Sequence, residues 1–357
     1  MESISDVEHA EIRMQCQKLM NTDITAPEQA VQWMGAMQAQ HYSMAKLAVG
    51  VRIEDGTFAN VESALRSGKI LRTHVMRPTW HFVAGEDIRW MCALSENRFK
   101  TADAQWDKDY GLTPKIYAEV NRVIVNALTG NNHLTRQEIA DELKKLDVIA
   151  DLPRMIRHFC NRAEVEGVVC SGIDRGNKQT YALVSERAPS AKMLDKDESL
   201  ATLATRYFQS HSPASLDDFI WWSGLYVRDA KQAVNSIQHD LQTVAFHEKQ
   251  LFIHNSCSTT HKLTGEIHLL PAFDEYIIAY KDRESVIVPK HMPKAFTKNG
   301  IFQPIIVMDG KLIGTWKKVM RRGQPEIALS FFARNKSGAS KVQIEKSMRE
   351  VLKFWGE

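Results

Sequence analysis

Few side chains in this 357-residue chain are spaced for covalent or metal chemistry. Cys257 and His261 lie one helical turn apart, but as a lone pair they fall short of the three or four donors a metal needs. His247 and His268 have no partners at ligand spacing. The five cysteines, Cys16, Cys92, Cys160, Cys170 and Cys257, are odd in number and never form C-x-x-C. That pattern argues against a disulfide framework or thiolate zinc site and fits a reducing compartment. A nucleophile elbow, a phosphate loop and H-E-x-x-H are all missing, so neither metal nor cofactor is expected. What remains is cationic. Arg154, Arg157, His158 and Arg162 recur at helical spacing, which places several on one face, within reach of phosphates. Lys317, Lys318, Arg321 and Arg322 crowd the tip of a hairpin in TWKKVMRRGQPEIAL. Such clusters bind polyanions; the alternative is a solvated basic face.

The overall net charge of +3 conceals this pattern. Counted by segment, residues 1–110 carry −3, residues 111–190 carry +1, residues 191–260 carry −2 and residues 261–357 carry +7. A basic excess confined to the last quarter marks it as the polyanion-facing end. Apolar residues make up 44% and charged residues 25%, a soluble globular composition. No apolar run approaches the ~18–20 residues that span a bilayer. The N-terminus, MESISDVEHAEIRMQ, is acidic and polar, unlike a secretory or transit peptide. We expect a cytoplasmic, nucleoid-associated monomer without membrane partners. Its length calls for two or three domains.

The elements that must position these side chains are most legible in residues 111–190. Thr113 and Pro114 start a helix through KIYAEVNRVIVNALTG that Gly130 ends. Thr135 and Glu138 form a capping box for a second helix in LTRQEIADELKKL. A third follows Pro153 as RMIRHFCNRAEVEG and stops at Gly167. The β-runs VVCSG and QTYALV flank IDRGNK, a turn-rich hairpin loop. Three helices followed by a hairpin is the order of a winged helix, whose third helix and wing contact nucleic acid; winged helices also dock proteins. In residues 191–260 the same grammar recurs: ATLATRYFQSH up to Pro213, Ser215 capping LDDFIWWSG, VRDAKQAVNSIQ, then LQTVAF with QLFIHN. In residues 1–110, PEQAVQWMGAMQAQ and VESALRSG read as helical and ILRTHVMRPTWHFV as β. A helix at GEDIRWMCALSENRFK then bridges to the next segment. From residue 261 strand-like runs take over, EIHLLPAFDEYIIAY, SVIVP, QPIIVMDGKLIGTWKK and EIALSFFA. Turn signals stand at Asp309-Gly310 and Gly323-Gln324, and SKVQIEKSMREVLKFW makes a terminal amphipathic helix.

Four segments, in this order, resemble the winged-helix family that contains the alkylpurine and interstrand-crosslink DNA glycosylases (AlkZ/YcaQ type). They are GAMQAQHYSMAKLAVGVR with Gln38-Ala39-Gln40, LRTHVMRPTWHFVAGEDIRW, LLPAFDEYIIAYKDR and IIVMDGKLIGTWKK. Spread over residues 34–318, the set is specific although no single motif is. The resemblance implies an α+β fold, mainly α, of three tandem winged helices with a C-terminal β-barrel-like region and terminal helix. The modules would be 1–110, 111–190, 191–260 and 261–357.

The same resemblance places Gln38 and Gln40 in the catalytic cleft, in the Gln-apolar-Gln version of an element that ends in Asp in a second branch. Alkylation at N7 of guanine or N3 of adenine makes the base cationic and a good leaving group. Little acid assistance is then needed. A Gln carbonyl can orient the attacking water and place partial negative charge near an oxocarbenium-like sugar, though it cannot act as a true base. Taken without the resemblance, the two Gln residues would sit at an exposed helix end. His41 abuts the element and would contact a phosphate or lie on the surface. Arg77, Trp80 and His81 share a β-segment: Trp80 is core or a stacking platform, and His81 faces the cleft or the interior. Asp274 and Glu275 stand in an apolar setting. Asp274 reads as an organiser of backbone hydrogen bonds and is also the best spare carboxylate for catalysis.

The expected function is that of a monofunctional DNA glycosylase hydrolysing the N-glycosidic bond of cationic alkylpurines, including cross-linked bases. Its partner would be alkylated or cross-linked double-stranded DNA, with no cofactor or metal. Bulky adducts would be reached from a groove without extruding the base, with the basic hairpin against the duplex. Gln38 and Gln40 are the catalytic candidates. His41, Arg77, His81, Arg154, Arg157, Arg162, Lys317, Lys318, Arg321 and Arg322 are the DNA-binding ones. The alternatives are a non-catalytic winged-helix regulator or architectural factor and a protein-docking scaffold.

Overall fold

The computed structural model describes residues 2–77, 79–146, 151–257, 262–333 and 340–356. It is mixed α and β, about half helical, and forms two compact units. Ser63–Ser199 is one, and Met1–Glu62 with Leu200–Glu357 is the other.

Within Ser63–Ser199 the local signals become elements where the sequence places them. Thr113 caps the helix Pro114–Leu128 by accepting the Ile116 N–H at 3.3 Å. Thr135 and Glu138 satisfy each other's backbone N–H groups at the start of Arg136–Leu143. Asp151 caps Leu152–Val165, and Gly167 follows in the left-handed region that only glycine enters freely. The strands Val169–Ser171 and Thr180–Leu183 pair antiparallel, with Leu134–Thr135 added at the edge. Tyr117, Val120, Ile124, Ile139, Leu143 and Phe159 line the facing sides of the three helices and form one core. Each such large side chain contributes about 1.5–3 kcal/mol by leaving water, and that burial holds the three helices together. A hairpin of Ile70–Val75 and Thr79–Ala84 precedes them, followed by the 22-residue helix Ile88–Asp109.

The second unit joins parts of the chain far apart in sequence. Glu2–Ser3 pairs in parallel with Leu241–Phe246, which is antiparallel to Lys249–His254. The helix Asp6–Cys16 is buried on two faces despite its acidic start. Ile12 and Cys16, one turn apart, pack with Val244, Phe246, Leu251 and Ile253. Met14, on the opposite side, packs with Leu270, Tyr276, Ile277, Ile305 and Val307. Lys196–His211, Leu216–Ser223 and Val227–Ser236 lead into the hairpin in the order expected for residues 191–260. Ser215 and Asp218 form the capping box of the middle helix.

Four expectations change. The expected helical run PEQAVQWMGAMQAQ ends at Met34. Gly35, at φ +76°, turns the chain into the short strand Met37–Gln38, and Tyr42–Gly50 is helical instead. The β-barrel-like region is an open antiparallel meander of Ile267–Leu270, Ile305–Met308, Lys311–Arg321 and Gln324–Phe331. Its end strands do not close on each other, so it is no closed barrel among the described residues. The apolar run after Leu270 leaves the sheet because Asp274 caps the short helix Glu275–Ile278, accepting the Tyr276 N–H at 2.9 Å. Lastly, SVIVP forms a turn, with Val286 and Ile287 both donating to the Arg283 carbonyl, and a one-turn helix from Pro289. The terminal helix Lys341–Phe354 is present as expected.

Candidate functional site

Gln38-Ala39-Gln40 leaves the interior as it runs. Met37, Gln38 and Ala39 are buried, Gln38 at 6% exposure, whereas Gln40 and His41 are exposed. His41 stands at the start of the helix Tyr42–Gly50, its Nδ1 3.3 Å from Ser43 Oγ. The abrupt entry depends on Gly35. A Cβ there would come within 3.2 Å of the Trp222 ring, and its positive φ is costly for any other residue. The element is therefore a strand and turn, not the exposed helix end that the residues alone suggested.

Beneath it lies a buried polar cluster. Glu275, 1% exposed, accepts the Gln38 N–H at 2.7 Å through Oε1 and the Trp222 indole N–H at 3.1 Å through Oε2. Asp274 is fully buried and accepts both Arg52 guanidinium nitrogens at 2.8 and 2.9 Å. Arg52 also donates to the Ala48 carbonyl at 2.8 Å and to Gln17 Oε1 at 3.0 Å. Removing one partner of such a pair strands the other charge and costs about 3–5 kcal/mol, so the contact fixes position. Asp274 is thus an organiser, engaged by Arg52 and by the cap it makes. Arg13 donates to the Tyr276 carbonyl and stacks 3.4 Å over the Tyr280 ring. His211 stacks on Tyr207 with ring centroids 4.8 Å apart. Burial, aided by the positive charges of Arg52 and Arg13, pushes its pKa well below the usual imidazole range, so the ring is neutral.

The other candidates lie on separate elements. Arg154 and Arg157 are exposed on the helix Leu152–Val165, Arg154 lying 5.0 Å over the Tyr110 ring. Arg162 is buried instead. It pairs with Glu166 at 2.7 Å and faces Asp107 at 3.7 Å, over the Tyr117 ring. His158 is half-buried against the Tyr117 hydroxyl at 2.6 Å. Arg77 is half-buried. Trp80 packs under Arg72 at 4.2 Å and beside His74, which binds Glu164 at 2.6 Å. His81 is fully buried, its Nδ1 2.9 Å from the Thr79 carbonyl, with a pKa pushed down to about 3 by burial.

At the C-terminal hairpin, Lys317, Arg321 and Arg322 are exposed, and Lys318 lies 5.2 Å over the Trp355 ring. Arg321 pairs with Gln324, so the two-residue turn is Arg322-Gly323, both at positive φ, one position earlier than expected.

Cys257 meets the thiol of Cys16 at 2.9 Å; His261, the other member of the lone pair set aside above, lies outside the described residues. Among the described residues no group of His, Cys, Asp and Glu is arranged to hold a metal ion. No helix of the described residues is long and apolar enough to cross a membrane. A cavity of about 510 Å³ opens between the terminal helix and the strand Ile267–Leu270, lined by Gly50, Val351 and Phe354 among others, and touches none of the candidates.

Glu275 is what residue-level reasoning passed over in favour of Asp274. The two are adjacent, and only the fold shows which one reaches Gln38.

The chain matches a family model described as "DNA glycosylase AlkZ-like" over residues 31–354. An interstrand DNA cross-link repair glycosylase of Streptomyces sahachiroi is 25% identical over 321 residues, 86% of either chain. The solved Streptomyces sahachiroi DNA glycosylase AlkZ has the same fold, with a TM-score of 0.86 at 23% identity over 99% of this chain and 97% of that one.

Proposed function

Because the chain belongs to the DNA glycosylase AlkZ-like family, we propose that it hydrolyses the N-glycosidic bond of cationic alkylated purines in duplex DNA. N7-alkylguanine and N3-alkyladenine are the simple substrates, and interstrand cross-links through those positions fall in the same class. The observation that carries this proposal is the course of Gln38-Ala39-Gln40, from a buried, anchored Gln38 to an exposed Gln40 and His41. Gln38 is anchored through its backbone N–H, and the exposed Gln40 can meet a ligand.

The chemistry suits amides. Water forms a bond to the anomeric carbon as the glycosidic C–N bond breaks. The base takes the bonding electron pair and becomes neutral, and the water loses its proton to solvent. Gln38 and Gln40 would accept hydrogen bonds from that water and place their carbonyl dipoles toward the cationic sugar. No general base is assigned, which restricts the range to lesions that are already cationic.

The helical and hairpin segments of 1–110, 111–190 and 191–260 would act as three winged helices, with 261–357 as a β-rich basic end. Arg154, Arg157 and the cations at 317–322 would grip phosphates, and the adduct would be reached from a groove. The test is base release from duplexes carrying N7-alkylguanine, N3-alkyladenine or a purine cross-link. Release is expected from wild type, while Gln38→Ala with Gln40→Ala should lose release yet keep DNA affinity. No release from any of the three duplexes would overturn the proposal. Strong preference for one DNA sequence would then favour a regulator.

A further inference from the structure

We infer that Glu275 is the positioning residue of the Gln-Ala-Gln element, acting on catalysis through the backbone of Gln38. At 1% exposure its carboxylate cannot touch DNA, so any effect must pass through what it holds. It holds the Gln38 N–H at 2.7 Å and the Trp222 indole N–H at 3.1 Å, one on each oxygen. In an extended strand the side chain stands perpendicular to the plane of its peptide groups. Pinning the peptide plane ahead of Gln38 therefore sets the direction in which its side chain leaves the backbone. Hydrogen bonds to an ionised acceptor are roughly twice as strong as neutral ones, which suits an anchor of this kind.

The surroundings keep the carboxylate for this task. Asp274 next to it is engaged by Arg52, which locks the start of the short helix that carries Glu275. His211 does not offer it a proton. The Ser210 hydroxyl donates its single hydrogen to the Arg206 carbonyl at 2.6 Å, so the His211 Nδ1–H donates to Ser210 Oγ at 2.7 Å. The bare Nε2 then faces Glu275 Oε2 at 3.9 Å, too far for a hydrogen bond.

The geometry makes glutamine a sharp probe. The Gln38 and Trp222 N–H groups sit on different carboxylate oxygens, but a carboxamide has one oxygen and an NH2 group. Glu275→Gln keeps size and shape yet leaves either Gln38 or Trp222 facing a donor. The inference rests on the proposed role of Gln38, so the experiment reads position and chemistry separately. Amide hydrogen exchange at Gln38 reports position; single-turnover base release and DNA affinity report chemistry.

Glu275→Gln should speed exchange at Gln38 and slow release on the order of 10- to 100-fold with DNA affinity unchanged. Adding Trp222→Phe removes the indole donor, frees the amide oxygen to turn to Gln38, and should recover much of the lost rate. A purely structural role for Glu275 would show no such rescue. Unchanged exchange at Gln38 in folded Glu275→Gln protein overturns the inference, and so does unchanged release from an active enzyme. Should that variant not fold, wild-type exchange decides: a Gln38 amide exchanging faster than its neighbours in the same strand and turn sinks the anchor. A wild-type protein that releases no base removes the proposed activity and the catalytic half of the inference, while exchange still decides the anchor.

Discussion

A carboxamide gains catalytic use only when its direction is fixed, because it has no charge to act through space at low precision. At the scale of residues, the proposed chemistry therefore depends on groups buried away from the surface. Arg52 and Asp274 neutralise each other in the interior, and Glu275 turns two N–H groups toward itself. Three histidines lie in the same kind of interior and must stay neutral. Burial pushes His9 and His81 down to about 3 and lowers His211 as well. For such a group the stability is whole above the unfolded pKa, about 6.5. It is lost as pH falls from there toward the folded value, because only the unfolded ring binds the proton. Each imidazole costs about 1.4 kcal/mol per pH unit in that window. Denaturant unfolding should show the wild-type protein losing stability below pH 6.5, and His81→Leu losing it less steeply by about one proton. Parallel curves for the two would contradict a neutral buried His81.

Among the elements, caps and turns decide where the candidate site stands. Gly35 ends the helix Pro27–Met34 and sends the chain under Trp222. Gly35→Ala puts φ +76° with ψ −62°, a strained γ-turn conformation, on a residue with a Cβ, a cost of about 1–3 kcal/mol. The added methyl also presses on Trp222, the second donor to Glu275. We expect both a lower denaturation midpoint and slower base release. The comparison is Thr135→Ala, which opens the capping box of Arg136–Leu143 for about 1 kcal/mol. It should lower stability alone, leaving release per folded molecule unchanged. If Gly35→Ala leaves release as fast as Thr135→Ala does, the turn does not govern the site. That capping box, like Thr113 and Ser215, was legible in the sequence because a cap is decided within four residues. The strand at Met37–Gln38 was not, since two residues carry no periodicity.

For the whole molecule, charge is the property to test. The net +3 divides into an acidic first segment and a last segment at +7. Exposed Arg321 and Arg322 stand at the tip of a long two-stranded hairpin, whereas exposed Lys317, with Lys318 over Trp355, lies farther down its first strand and not at the expected tip. Replacing all four with Gln should weaken DNA binding. It should also flatten the dependence of log K on log salt by about 0.9 for each phosphate no longer neutralised. Arg162→Gln should leave that slope alone, since its guanidinium is committed to Glu166 and Tyr117. Equal slopes for the hairpin variant and wild type would remove the hairpin from the interface.

The sequence by itself determined the mixed α and β character, though it read as mainly α where the structure is about half helical, and the order of helices and hairpins in residues 111–260, and the family. Each rests on signals that act over a few residues or on motifs read in series. Only the tertiary structure decided that Glu2–Ser3 joins a strand 239 positions on, from Leu241, or that the apolar run after Leu270 bends out of the sheet. It also separated Arg154 and Arg157 from Arg162, which share a helix and a charge but not a surface. Above all it chose Glu275 over Asp274. Two adjacent carboxylates in PAFDEY are alike to any local rule. Their fates differ because a short helix turns one to Arg52 and the other to the backbone of Gln38, 237 residues away.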